Sequence, residues 1–266
     1  MNYVEILRMR RNLIWLAGVL GALCLIAMIS LNLNAGGMHL RMGMTHSHFD
    51  GGLDLAALFG VGVAITLIFA TIIGGTLSRE NETPEMIRTK PFAREQMALS
   101  FFLTDLAAIL LAFVITCALV SIVLLDVCAI AGIAPPPLRF GPEAGVILTL
   151  GLGVAFMWYA LVQAVSAGLK GRGGMVIGLS WAYFTILVGL AHATFLPGFV
   201  HEAIMLLNLL NPLAYMNSLT SHGDSLSTTV PNSIFALDAW LRAAIVWAIS
   251  IAACVVATFN WKRLEF

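Results

Sequence analysis

Residues 98–125 read ALSFFLTDLAAILLAFVITCALVSIVLL, 28 positions with one charged residue, Asp105. A hydrocarbon core about 30 Å thick takes roughly 20 apolar residues of helix. The stretch is therefore long enough to cross, and it is apolar around its whole circumference instead of along one stripe. Five more stretches repeat the pattern, at 13–31, 53–77, 143–169, 175–196 and 239–259. The sequence thus predicts an all-α integral membrane protein of six transmembrane helices, a single domain over 1–266. A shorter run, 203–210, stops at Asn211-Pro212 and reads as an interfacial or re-entrant helix.

Composition agrees. Of 266 residues, 60% are hydrophobic and 11% charged, with no formal net charge, and the mean hydropathy is +0.94. A soluble domain carries about 25% charged and about 45–50% apolar residues. A soluble globular protein, a disordered chain and a nucleic-acid binder relying on a basic surface are all excluded. Cys24, Cys117, Cys128 and Cys254 form no CxxC pair, and they read as buried small hydrophobes. The first apolar run is too long for a cleavable signal and reads as a retained anchor.

Basic residues orient the spans. Arg8, Arg10, Arg11, Arg79, Arg88, Lys90, Arg94, Lys170, Arg172, Lys262 and Arg263 fall on one side, against Arg41, Arg139 and Arg242 on the other. Both termini are therefore expected to be cytoplasmic. Ahead of the first span, Val4, Leu7, Arg8 and Arg11 stand at helical spacing. Residues 2–12 are expected to form a short interfacial helix, its arginines among lipid headgroups. The tryptophans near span ends read as interfacial anchors. Gly60, Gly62, Gly74, Gly75, Gly151 and Gly153 read as close-packing positions of the bundle, or as part of a dimer seam.

Several chemistries lack their residues. His201-Glu202 is followed by Ala203, Ile204 and Met205, so there is no HExxH; no GxSxG elbow occurs. Gly171-Arg172-Gly173-Gly174 lacks the Lys-Ser or Lys-Thr of a phosphate loop. Any ATPase must be another chain. Asp105, about two turns into the third span, is the costly charge, and two roles stay open for it. It serves the transport pathway, or it pairs with Arg94 or a backbone amide near the interface.

Two loops carry signals. On the external side, Met38, His39, Met42, Met44, His46, His48 and Asp50 crowd into thirteen residues. Thioether with imidazole suits Cu(I), and imidazole with carboxylate suits Zn(II) or Cu(II); the alternative is a loop with a chance cluster. On the cytoplasmic side, Ser78 to Pro91 contains Thr83-Pro84-Glu85, a cap, a first-turn proline and an acid suited to the helix dipole. Lys90 precedes Pro91 and is disfavoured in helix. One to two turns of charged helix follow between two spans, either a docking element or a solvated turn.

This acidic segment and short helix, followed by Thr89-Lys90-Pro91-Phe92-Ala93-Arg94, resembles the permease subunits of type-2 ABC exporters. Leu210-Asn211-Pro212-Leu213-Ala214-Tyr215 resembles that family's Asn/Ser-Pro segment before the last span. Phe259-Asn260-Trp261-Lys262-Arg263-Leu264 resembles its aromatic and basic tail. Leu99 and Ser100 stand where a lysine is often found. With the six-span layout the likeness covers essentially the whole chain. It implies a coupling helix between spans 2 and 3, with Glu80, Glu82, Glu85 and Arg88 seating in an ATPase subunit. It also implies two cytoplasmic ATPase chains, a second permease chain and a location in a prokaryotic inner membrane. This chain would bind no cofactor of its own, and ATP and Mg would enter through the partner. A metal-handling membrane protein built on the Met/His loop is the alternative function.

Overall fold

The computed structural model describes residues 3–33, 55–75, 94–131, 142–169, 171–191, 193, 197–215 and 239–263. Their regular structure is entirely helical: α1 (Tyr3–Leu33), α2 (Leu55–Ile73), α3 (Arg94–Ala131), α4 (Pro142–Ser166), α5 (Gly173–Ala191), α6 (Gly198–Asn208) and α7 (Ala239–Lys262). Five of these, α1, α3, α4, α5 and α7, are long and apolar enough to cross a membrane, and α2 holds a shorter apolar segment, Leu58–Ile73. The chain is built as a multi-pass membrane protein.

The third apolar stretch, expected over 98–125, extends as a helix to Arg94–Ala131, and two further boundaries differ from the sequence expectation. The interfacial helix expected over 2–12 is not a separate element, because α1 runs unbroken from Tyr3 to Leu33. No glycine or proline stands near the expected break at residue 12, and Met9 is buried in the core of the bundle. The second apolar stretch stops helically at Ile73 instead of running to 77. Gly75 takes a left-handed φ of +75°, the conformation that closes a helix C-terminus. A β-carbon there would also sit 3.2 Å from the Gly173 Cα at the start of α5, so glycine is required twice over.

α4 is the centre of the bundle. Of its most apolar stretch 61% is buried, and α2 and α7 flank it. In lipid, close backbone approach substitutes for a hydrophobic drive between helices, and glycines provide it here. Gly151 lies against Val63 of α2, Gly153 against Val246 and Trp247 of α7, and Gly74 against Val162. Gly62 lies against Phe113 and Cys117 of α3. The close-packing expectation thus holds for these, while Gly60 has nothing within 4 Å. The pairs 63/151 and 74/162, with 247/149 and 260/164, make α2, α4 and α7 parallel. α5 runs the other way: Trp158 meets Trp181 and Phe184 while Gly75, near Val162, meets Gly173.

Two groups of side-chain hydrogen bonds shape the helices themselves. Thr66, Thr71, Thr104, Thr116, Ser121, Thr149, Ser250 and Thr258 each donate to the carbonyl four residues earlier on their own helix. Two donors instead tie α7 to α4: Trp247 Nε1 to Thr149 O at 3.1 Å and Asn260 Nδ2 to Ala164 O at 2.9 Å. Trp240 is exposed at the start of α7, as an anchor would be, and Trp15 is exposed well inside α1, whereas Trp158 and Trp261 are core residues.

The short run before the last span also takes a definite form. α6 ends at Asn208, the chain turns at 209–210, and 212–215 make one more helical turn. Asn208 Nδ2 donates to Leu187 O at 3.3 Å and Asn211 Nδ2 to Phe184 O at 2.9 Å. As the chain advances from 208 to 211 its partner on α5 recedes from 187 to 184, so this segment doubles back along α5. Asn211 also donates to Asn208 Oδ1 at 2.8 Å and accepts from the Leu213 amide at 3.0 Å. Asn211→Ala removes all three bonds from a fully buried site, so a loss of about 1–3 kcal/mol is expected. The check is a lowered unfolding midpoint in detergent with membrane insertion unchanged.

Candidate functional site

The residue that stood out in the sequence, Asp105, lies on α3 with 0% exposure. A lone buried carboxylate is very costly, and it survives only with hydrogen bonds and a counter-charge. Both are present. The Tyr159 hydroxyl of α4 donates to Asp105 Oδ2, and Arg8 of α1 places Nη2 3.7 Å from Oδ1. Gln163, one turn further along α4, is also fully buried. Tyr159 and Gln163 are four apart on α4 and so share a face.

Packing fixes the arrangement. Phe156 stacks on Tyr159 with ring centroids 5.7 Å apart, and Phe102 meets it edge-on at 6.3 Å. Phe102 sits three residues before Asp105, so one face of α3 supplies both the aromatic wall and the carboxylate. Met9, Met97, Phe101, Ala257 and Trp261 belong to the same core. The cluster therefore forms where the start of α1, the first third of α3, the second half of α4 and the end of α7 converge. Its chemistry is that of an oriented ion pair in a medium of low polarity, with the Tyr159 phenol holding one carboxylate oxygen.

The sequence pointed to Arg94 or a backbone amide as partner for Asp105. The partners found are Arg8 and Tyr159, on two other helices; of Arg94 only the backbone is described. The sequence reading missed Tyr159 and Gln163; the signal that could have found them is their four-residue spacing within a largely apolar stretch. Two neighbours on α4, Trp158 Nε1 and Ser166 Oγ, are buried with no hydrogen-bond partner among the described residues.

A second buried cation lies toward the other end. Arg242, at the start of α7, is buried near Tyr215, whose hydroxyl donates to Leu209 O at 3.1 Å. Burial pushes the Tyr215 phenol up to about 12, against the pull of the Arg242 guanidinium.

The docking residues read from the sequence, Glu80, Glu82, Glu85 and Arg88, lie outside the described residues, as do Met38, His39, Met42, Met44, His46, His48 and Asp50. Among the described residues no group of three or more His, Cys, Asp or Glu is placed to hold a metal ion. No family model matches the chain, and no curated protein or solved structure is significantly similar to it.

Proposed function

We propose that this chain is the membrane-spanning permease subunit of an ATP-driven ABC exporter in a prokaryotic inner membrane. Six helices cross, with α2 as the sixth crossing beside the five long ones, and both termini are cytoplasmic. A second permease chain completes the pathway. Two ATPase subunits bind ATP and Mg, and the short helix carrying Glu80, Glu82, Glu85 and Arg88 transmits their motion.

The observation that carries this reading is the Asn208–Asn211 turn. It doubles back between the fifth and last apolar helices, where the resembling family has its Asn-Pro segment. The layout adds support. α2 is 19 residues long, about 28 Å at 1.5 Å per residue, and it lies parallel to α4 and α7. Met9 near the start of α1 and Trp261 near the end of α7 share one core, in keeping with an even number of crossings.

The experiment is a mild-detergent pull-down of tagged protein with partners identified by mass. A stoichiometric ATPase subunit is expected in the wild type. In Glu82→Lys/Glu85→Lys its recovery should fall by about tenfold, the equivalent of 1.4 kcal/mol, with insertion of the permease unchanged. Absence of any ATPase, including in the presence of ATP analogues, would overturn the proposal.

A further inference from the structure

α1 is attached to the bundle differently from its neighbours. Lipid tails are as apolar as leucine, so apolar helices gain nothing from the hydrophobic effect by associating in a bilayer. α2, α3, α4 and α7 associate through glycine contacts. α1 brings two glycines, Gly18 and Gly21, and both face open space with nothing within 4 Å. None of its most apolar stretch is buried. Met9 is its member of the buried core, with Leu13 and Leu16 packed at the edge. Beyond that point one face of α1 exposes Val19, Leu23, Ile26 and Ile29, while Leu20, Cys24, Ala27 and Met28 are half-buried along the side that packs on α3.

What α1 brings to its buried end is a charge. We propose that the Arg8–Asp105 pair is an electrostatic latch that docks α1 on the bundle, giving α1 a docked and a released state while the remaining helices keep their packing. The receiving half is prebuilt, because Tyr159 holds Asp105 from α4. The arriving half meets Asp105 as a charge, at 3.7 Å, longer than a hydrogen bond. Such a pair can open and re-form without a strict angular fit. A single ion pair acting as a register or switch element is the best-attested use of a buried charge pair.

The test uses the full chain with a protease site inserted after Gly36, between α1 and α2 in sequence. The folded protein is cleaved in mild detergent, and the N-terminal fragment retained on the tagged remainder is measured. Wild-type protein should keep the fragment. Arg8→Gln/Asp105→Asn removes both charges and leaves neither stranded; retention should fall about tenfold, equivalent to 1.4 kcal/mol. The reversed pair Arg8→Asp/Asp105→Arg should restore it. Tyr159→Phe, which leaves both charges in place, should retain the fragment. Release from the wild type, or wild-type retention in the neutral double variant, would overturn the latch. The readout involves neither ATPase nor cargo, so its outcome is independent of the transport reading.

Discussion

Arg8→Met is expected to destabilise the detergent-solubilised protein by about 3 kcal/mol, the scale for stranding a buried charge or placing one within a span. The loss arises because Asp105, at 0% exposure, keeps its Tyr159 bond but loses its counter-ion. The reverse change should cost less. Asp105→Asn preserves the shape and the hydrogen bond, and Arg8, 17% exposed, has a flexible stem that can carry its charge toward water. Arg8→Met/Asp105→Asn should then recover most of what Arg8→Met loses, since no charge is stranded. Chemical or thermal unfolding of the four proteins closes a double-mutant cycle. Additive losses in the double variant would show that the two side chains do not act as a pair.

Gly151→Ala should cost about 1–3 kcal/mol, the usual price of an extra methyl in a filled core. Its β-carbon would collide with the γ-methyls of Val63, which is itself 0% exposed and hemmed between α2 and α4. The helices must then separate at the centre of the bundle. Val63→Ala in the same chain makes room and should restore most of the loss, which a purely local effect of alanine would not allow. Gly60→Ala is the control: nothing lies within 4 Å of its β-carbon, and alanine is the better helix former. Comparing unfolding midpoints of the three variants with the wild type decides the matter.

Some of this architecture could be read from residue order and some could not. Helix existence follows from length and apolarity alone, which is why residues 98–125 already fix α3. Glycine contacts were legible as a class, because small residues are what lipid-embedded helices pack with. Which glycine meets which side chain depends on helix rotation, and Gly60 shows how one position in a run can face away. The start of α1 was misread because Arg8, Arg10 and Arg11 are equally suited to headgroups. Only the fold reveals that Arg8 faces a carboxylate 97 positions away. Asp105 was recognisable as costly, but its partners come from two other helices, a relation that no local spacing encodes. Asn211 was visible as a helix stop; its role in gripping α5 depends on the chain doubling back.

The hydrogen-bond pattern also divides the bundle mechanically. The two ties between α4 and α7 start from Thr149 and Ala164, 15 residues apart and so about 22 Å along the helix. Fastened near both ends, the two helices form one stiff beam. On the facing side, Thr66 and Thr71 of α2 and Thr104, Thr116 and Ser121 of α3 keep their hydroxyls on their own backbones. Sliding α2 along the beam breaks none of those bonds and changes only van der Waals contact, whereas the Tyr159–Asp105 hydrogen bond pins α3 to α4. The face of α4 studded by Val63 against Gly151 is thus a shear plane, with displacement parallel to the helix axes as its soft direction.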